Sequence, residues 1–180
     1  GTQKGTMLSR TIAHVDLGKR SIKVTSVPLE LRRKFLGGRG INMALLSDFY
    51  SRDLDPFSPE NPLIFGAGML SGTLSFGSRL NISSKSPESG HLGDSNMGGD
   101  FGAELVRAGL SHLVITGRSE EPVYLCIKDK RIELCEAGHL WGLDTLETQR
   151  RLRRELDSPA VRIACIGPAG ENRVRFACIR

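Results

Sequence analysis

Asn96-Met97-Gly98-Gly99-Asp100-Phe101-Gly102-Ala103-Glu104-Leu105 is the stretch that decides how this chain is read, together with Gly77-Ser78-Arg79-Leu80-Asn81 shortly before it. Nine glycines fall between Gly66 and Gly102, and they accompany Arg79, Asn81, Lys85, Asn96 and many serines rather than bulky apolar residues. That mixture lets backbone amides come close to a polar ligand, and it equally suits a set of tight turns between strands. A dinucleotide fingerprint fits poorly. Gly66-Ala67-Gly68-Met69-Leu70-Ser71-Gly72 has one residue too many, and Thr73 to Leu80 does not read as the helix that should follow it. A nucleotide-triphosphatase loop needs Gly-Lys-Ser/Thr, and no such string occurs. What fits is a diphosphate cradle shared between Arg79 and the run Asn96 to Gly102 leading into a helix. Arginine can donate two parallel hydrogen bonds to a phosphate, Gly98-Gly99 let the backbone approach, and a helix start adds unpaired amides. Asp100 reads first as the cap of that helix, satisfying those same amides and opposing an anion.

Outward from this centre, alternation in Thr11 to Asp16 and in Ser21 to Thr25 about Gly18-Lys19 predicts an opening β-hairpin. Pro28 starts a short helix with Leu29, Leu31, Phe35 and Leu36 as its apolar face and Gly37-Gly38 as its stop, and a second helix covers Ile41 to Phe49. Three prolines make 55–62 a loop. Strands are expected over Leu63 to Ala67, Arg79 to Lys85 and His91 to Ser95, a helix over Gly99 to Ala108, and a buried strand over Leu113 to Thr116. Val123 to Lys128 and Arg131 to Cys135 read as a hairpin, Asp144 to Leu156 as the longest helix, and Val161 to Ile166 with Arg173 to Ile179 as two closing strands. A faint echo relates Gly66–Ser83 to Gly167–Ile179; duplicated sheet architecture and chance recurrence of glycine hairpins weigh about equally.

The composition, 39% hydrophobic and 25% charged, is that of a globular protein, not a disordered or membrane-spanning one. A cytoplasmic setting is the default. The net charge of +5 makes an anionic partner plausible, but Gln149 to Glu155, which carries much of it, reads as the solvated face of a helix, so nucleic acid is disfavoured. Cys126, Cys135, Cys165 and Cys178 include no closely spaced pair and read as buried, reduced thiols, which disfavours zinc or an iron–sulfur cluster within this segment. His14, His91, His112 and His139 are scattered singly.

The succession Gly77 to Asn81, Lys85-Ser86-Pro87, Asn96 to Leu105 and Ile166-Gly167-Pro168-Ala169-Gly170-Glu171-Asn172 resembles the N-terminal domain of aldehyde ferredoxin oxidoreductase. So do Leu36-Gly37-Gly38-Arg39-Gly40, Ser58-Pro59-Glu60-Asn61 and His139-Leu140-Trp141-Gly142. The order and spacing of the strings carry the resemblance, which runs from about Ser9 to Arg180; residues 1–8 are expected to be a flexible extension or remnant ahead of that domain. It implies an α+β fold of two β-sheets with approximate internal two-fold symmetry and a few short helices. It also implies a tungsten (or molybdenum) bis-pyranopterin with a bridging magnesium, in an enzyme that oxidises aldehydes to carboxylic acids and passes electrons through a 4Fe-4S cluster to ferredoxin. Carried over, Arg79 matches an arginine contacting the pterin phosphates, Asn96 an asparagine whose main-chain carbonyl holds the magnesium, and Gly98 and Gly99 the close-approach positions. No catalytic residue is assigned. The family's second cofactor loop, cluster cysteines and acid–base residues belong after Arg180, so the segment is expected not to catalyse alone, with downstream domains as its partners and homo-oligomerisation left open. The alternative is a stand-alone binding or assembly domain that keeps the scaffold without the chemistry.

Overall fold

In the computed structural model, which describes residues 10–73 and 77–180, two β-sheets and short helices form an α+β fold. The extension expected at 1–8, with Ser9, lies outside the described residues. The opening hairpin forms as read, with β1 (Thr11–Asp16) antiparallel to β2 (Ser21–Ser26). Then come helices α1 (Leu29–Lys34) and α2 (Arg39–Ser47), strands β3 (Leu63–Ala67), β4 (Leu80–Lys85) and β5 (Leu92–Met97), helix α3 (Phe101–Arg107) and strand β6 (His112–Thr116). These six strands make one sheet in the order β2-β1-β6-β3-β4-β5, antiparallel throughout except for the parallel pair β1 and β6. A separate hairpin of β7 (Val123–Lys128) and β8 (Arg131–Glu136) is the second sheet, followed by helices α4 (Thr145–Glu155) and α5 (Pro168–Glu171).

Strand alternation splits the core between the two faces of the large sheet. On one face Ile12, Ile64 and Val114 pack against Val27 and against Ile41, Leu45 and Leu46 of α2. On the other, Ala13, Val15, Phe65, Ala67, Leu80 and Leu113 meet Leu105 of α3, with the β7–β8 hairpin lying against them. Between this second face and the hairpin is an apolar cavity of about 580 Å³, bordered by Phe65, Phe101, Leu125 and Ile163 among others. None of Arg79, Asn96, Gly98 and Gly99 borders it.

Several local expectations are corrected. The segments 161–166 and 173–179 are not strands: they run as extended or turning chain, sharing one reciprocal backbone pair between Cys165 and Arg180 (2.8 and 2.9 Å). β-branched residues favour a strand only where they pair with one, and neither segment joins β7, β8 or any other described strand. The echo is therefore realised in its first half only, where Gly66–Ser83 falls on β3 and β4. Leu29 and Leu36 are exposed at 54% and 75%, so they are not part of the apolar face of α1. That helix stops at Lys34 because Phe35 turns extended and lays its ring against Gly40; Gly38 serves as the N-cap of α2. The cysteines are free but not buried, three being half-covered and Cys178 exposed. Along α4 the arginines lie on the solvated side as read, with Arg150, Arg151 and Arg154 all paired to Glu147. No helix among the described residues is long and apolar enough to cross a membrane.

Candidate functional site

The four residues singled out from sequence gather at one end of the β4–β5 pair. Asn96 faces Asn81 across the ladder and Met97 faces Leu80, so that Arg79 and Gly98 are the residues next beyond the last paired rung. Asn96 belongs to the strand itself, not to a loop leading into α3 as the sequence reading had it, because β5 runs on to Met97.

The phase of the ladder fixes where the Asn96 carbonyl points. In an antiparallel pair, facing residues alternate between those that exchange hydrogen bonds and those whose amide and carbonyl turn outward. The Ser86 amide donates to the His91 carbonyl (2.8 Å), which makes Ser84/Gly93, Ile82/Ser95 and Leu80/Met97 the bonded pairs. Asn96 is thus in an unbonded pair, its carbonyl turned away from β4. β5 is the last strand of the sheet, so that carbonyl faces an edge no strand occupies.

Around it the surface is open. Arg79 and Asn96 are both exposed, and no described residue makes a hydrogen bond or ion pair with the Arg79 guanidinium; its backbone carbonyl accepts a long bond from Ser71 Oγ (3.4 Å). A Cβ built on Gly98 or Gly99 meets no atom within 4 Å. Gly99 has φ +83° and needs glycine for its backbone alone, whereas Gly98 lies outside the left-handed range, so nothing within the chain demands glycine there. Asp100 does not cap α3: its carboxylate pairs with Arg162 (2.8 Å) and makes no bond to the helix amides. The distant arginine competes successfully because a charged partner outweighs a neutral amide for an exposed carboxylate.

Beneath this edge is a polar layer that the sequence reading missed. Polar residues alternating with Leu80 and Ile82 along β4 suggest a solvated face, but that face is covered by α2. Asn81, Ser83 and Lys85 are buried there, together with Asn42 of α2 and His112 of β6. The Asn42 amide donates to Asn81 Oδ1 (3.0 Å), Asn81 O (3.1 Å), Ile64 O and Ser83 Oγ (both 3.3 Å). It sits directly over Gly66, where a Cβ would stand 2.2 Å from Asn42 Oδ1. Asn81 in turn donates to Asp94 Oδ1, to the Ser95 carbonyl (3.2 Å) and more weakly to Asn96 Oδ1 (3.5 Å). Arg39, in the first turn of α2, donates through Nε and Nη2 to the other oxygen of Asp94. Desolvation would raise the pKa of Asp94, but the hydrogen bonds from Arg39 and Asn81 and the Arg39 charge hold it below the usual carboxylate value. The sequence signal for this layer was the string Gly37-Gly38-Arg39-Gly40 and the polar phase of β4; Asp94 carried none.

His112 is fully buried in the same layer. Burial pushes its pKa down to about 4; the nearby Gly38 backbone opposes the shift and the Arg10 charge adds to it. Nδ1 meets Ser111 Oγ (3.0 Å), while Nε2 has no partner in hydrogen-bonding geometry.

The sequence profile of the aldehyde ferredoxin oxidoreductase N-terminal domain matches residues 12–180. The chain is 47% identical over 166 residues to a tungsten-containing aldehyde ferredoxin oxidoreductase of Pyrococcus furiosus, covering 92% of this chain and 27% of the relative. A second, from Thermococcus kodakarensis, is 45% identical over the same shares. The aliphatic sulfonate oxidoreductase, WOR-like subunit, of Pyrococcus furiosus is 32% identical over 92% of this chain and 29% of its own length. Among solved structures, the active site complex BamBC of benzoyl coenzyme A reductase, in complex with 1,5 dienoyl-CoA, superimposes with a TM-score of 0.92 and 39% identity, over 94% of this chain and 26% of that one. The chain thus spans about a quarter of the length of the relatives it matches.

Proposed function

Because the chain belongs to the aldehyde ferredoxin oxidoreductase family as its N-terminal domain, we propose that it is the floor on which a tungsten, or molybdenum, bis-pyranopterin rests in a larger oxidoreductase. One observation carries the proposal: an arginine whose guanidinium has no partner among the described residues, an outward strand carbonyl and a glycine that the described packing does not require lie at one end of β4 and β5. The donor set suits the group. Arg79 would donate to a pterin phosphate, the hard carbonyl oxygen of Asn96 would be one ligand of a magnesium bridging the two phosphates, and Gly98 and Gly99 leave room for a bulky ligand. The cofactor, when bound, supplies two-electron transfer at its metal. The chain would supply binding and orientation, Arg79 offsetting phosphate charge and the Asn96 carbonyl holding the cation. None of its residues is assigned to the chemistry.

For the whole protein the proposal extends to oxidation of an aldehyde to a carboxylic acid, with ferredoxin accepting electrons through a 4Fe-4S cluster held elsewhere, in the cytoplasm. A second reading, reduction of an aromatic acyl-CoA, is favoured by the likeness to BamBC; the aldehyde reading leads because the relatives named for it reach 47% identity. Isolating the full-length protein and measuring bound tungsten, molybdenum and magnesium by mass spectrometry tests the floor. A protein free of metal and pterin refutes it. Turnover of a panel of aldehydes and aroyl-CoA esters separates the two readings.

A further inference from the structure

We propose that Arg39, Asn81 and Asp94 are positioning residues that aim the Asn96 carbonyl, and thereby set how tightly the floor holds its magnesium; the inference rests on the reading above.

β5 is bonded to the sheet on one side only, and it runs straight into Gly98-Gly99. The Asn96 carbonyl shares its peptide plane with the Met97 amide, whose pairing with Leu80 is the last rung before the two glycines, and the last rung of an edge strand frays readily. The residues before Asn96 are nevertheless tied down. Asn81 holds the Ser95 carbonyl on the β4 side at 3.2 Å, and strand alternation then sends the next carbonyl, that of Asn96, outward. The same amide of Asn81 binds Asp94, whose second oxygen is taken by two nitrogens of Arg39. Asp94 therefore joins the edge strand to the first turn of α2, a helix anchored through buried Ile41, Leu45 and Leu46. Asn81 is held from behind by buried Asn42, so the chain of contacts ends in the core.

The Asp94 side chain is only 18% exposed, against 30% and 66% for the acids of the Lys19–Asp16 and Arg20–Glu136 pairs, so solvent screens this pair less than those. Arg39 also neutralises a carboxylate two residues from the proposed metal ligand, so that Asp94 is not free to draw the cation out of place.

The test uses the full-length holoprotein, the parent against Arg39→Met, Arg39→Lys and Asp94→Asn. Each is dialysed against graded free magnesium and its bound magnesium is read by mass spectrometry, with amide exchange followed at Ser95 and Met97, which pair with β4. Partners behind a metal ligand typically alter affinity about 10–100-fold. Arg39→Met and Asp94→Asn are expected to need at least about tenfold more magnesium for half-retention, with faster exchange at Ser95 and Met97 and unchanged exchange in β1 and β6. Arg39→Lys, which keeps the charge without the fork, falls between. Should Arg39→Met also lose protection in β1 and β6, the sheet has unfolded and Arg39→Lys and Asp94→Asn decide. Variants that hold magnesium as the parent does overturn the brace alone. A parent without magnesium sinks both the brace and the cofactor floor.

Discussion

Gly66 lies within β3 and Gly98 directly follows β5 in the same sheet, and replacing each by alanine separates a glycine the fold needs from one it does not. At Gly66 the new Cβ would fall 2.2 Å from Asn42 Oδ1, 2.7 Å from its Cγ and 2.9 Å from its Nδ2. Asn42 is fully buried and cannot tilt without leaving the four acceptors its amide now serves. Deserting a buried polar group costs about 1–3 kcal/mol, and forcing extra volume into a packed site about 1–3 kcal/mol more. Alanine returns roughly 0.5–1 kcal/mol through its better backbone propensity. The net loss is about 1–5.5 kcal/mol, centred near 3, a large part of the 5–15 kcal/mol or so that holds a domain folded. At Gly98 the Cβ meets nothing within 4 Å, and φ is not in the left-handed range. Gly98→Ala is expected to leave stability within about 0.5 kcal/mol, or to raise it slightly by stiffening the unfolded chain. Urea unfolding of the two variants distinguishes these outcomes: with a slope of about 1–3 kcal/mol per molar, the midpoint of Gly66→Ala falls by about 1 M or more. In the full-length protein the order reverses for ligand retention, Gly98→Ala losing magnesium and tungsten at undiminished stability. A Gly66→Ala midpoint equal to the parent's would refute the wedge of Asn42 over β3, and a Gly98→Ala variant destabilised by more than about 1 kcal/mol would mean that the fold explains that glycine after all.

Further expectations follow from the same layer and edge. His112 has a folded pKa of about 4, below its unfolded value, so the unfolded chain binds the proton more readily. Its contribution to stability is complete above about pH 6.5 and is lost as the pH falls from there to about 4, by roughly 3 kcal/mol in all. Urea midpoints measured across that range should slope accordingly, and His112→Phe should flatten the slope. Arg79→Ala should leave the unfolding midpoint within about 0.5 kcal/mol while weakening tungsten–pterin retention in the full-length protein about tenfold or more, since a hydrogen bond to a charged group carries about 1.5–3 kcal/mol. Lys85 is buried with Nζ donating to the carbonyls of Ser51 (3.2 Å) and Arg52 (2.7 Å) and lying 5.3 Å from the centre of the Tyr50 ring. Lys85→Met leaves both carbonyls without that donor and is expected to cost about 1–3 kcal/mol, visible as a lower thermal midpoint and faster exchange around residues 50–54.

Most of the elements were legible in the order of residues because their signals are local. The hairpin of β1 and β2 announced itself by alternation about a turn, and α4 was expected from Asp144 onward, where the Asp144 carboxylate caps it through the amides of Leu146 and Glu147. Where a segment's state depends on what lies beside it, the sequence misled. Val161 to Ile166 has the composition of a strand but pairs with no described strand. Asp100 stands where a cap should stand, yet it answers to Arg162, some sixty positions away in the chain.

The candidate site divides along the same line. Its residue types were legible in the string itself: an arginine, an asparagine and two glycines in a polar, glycine-rich setting suit a ligand with phosphate charge, and they equally suit tight turns. Their meeting was a tertiary matter. Only the register of β4 on β5 brings Arg79 and Gly98 to the same end of the pair, and only the place of β5 at the sheet's edge turns the Asn96 carbonyl away from every other described strand. The polar phase of β4 is roofed by α2, because helix docking is decided by apolar residues far off in the chain. A one-dimensional pattern records which side chains share a face; it does not record what comes to cover that face.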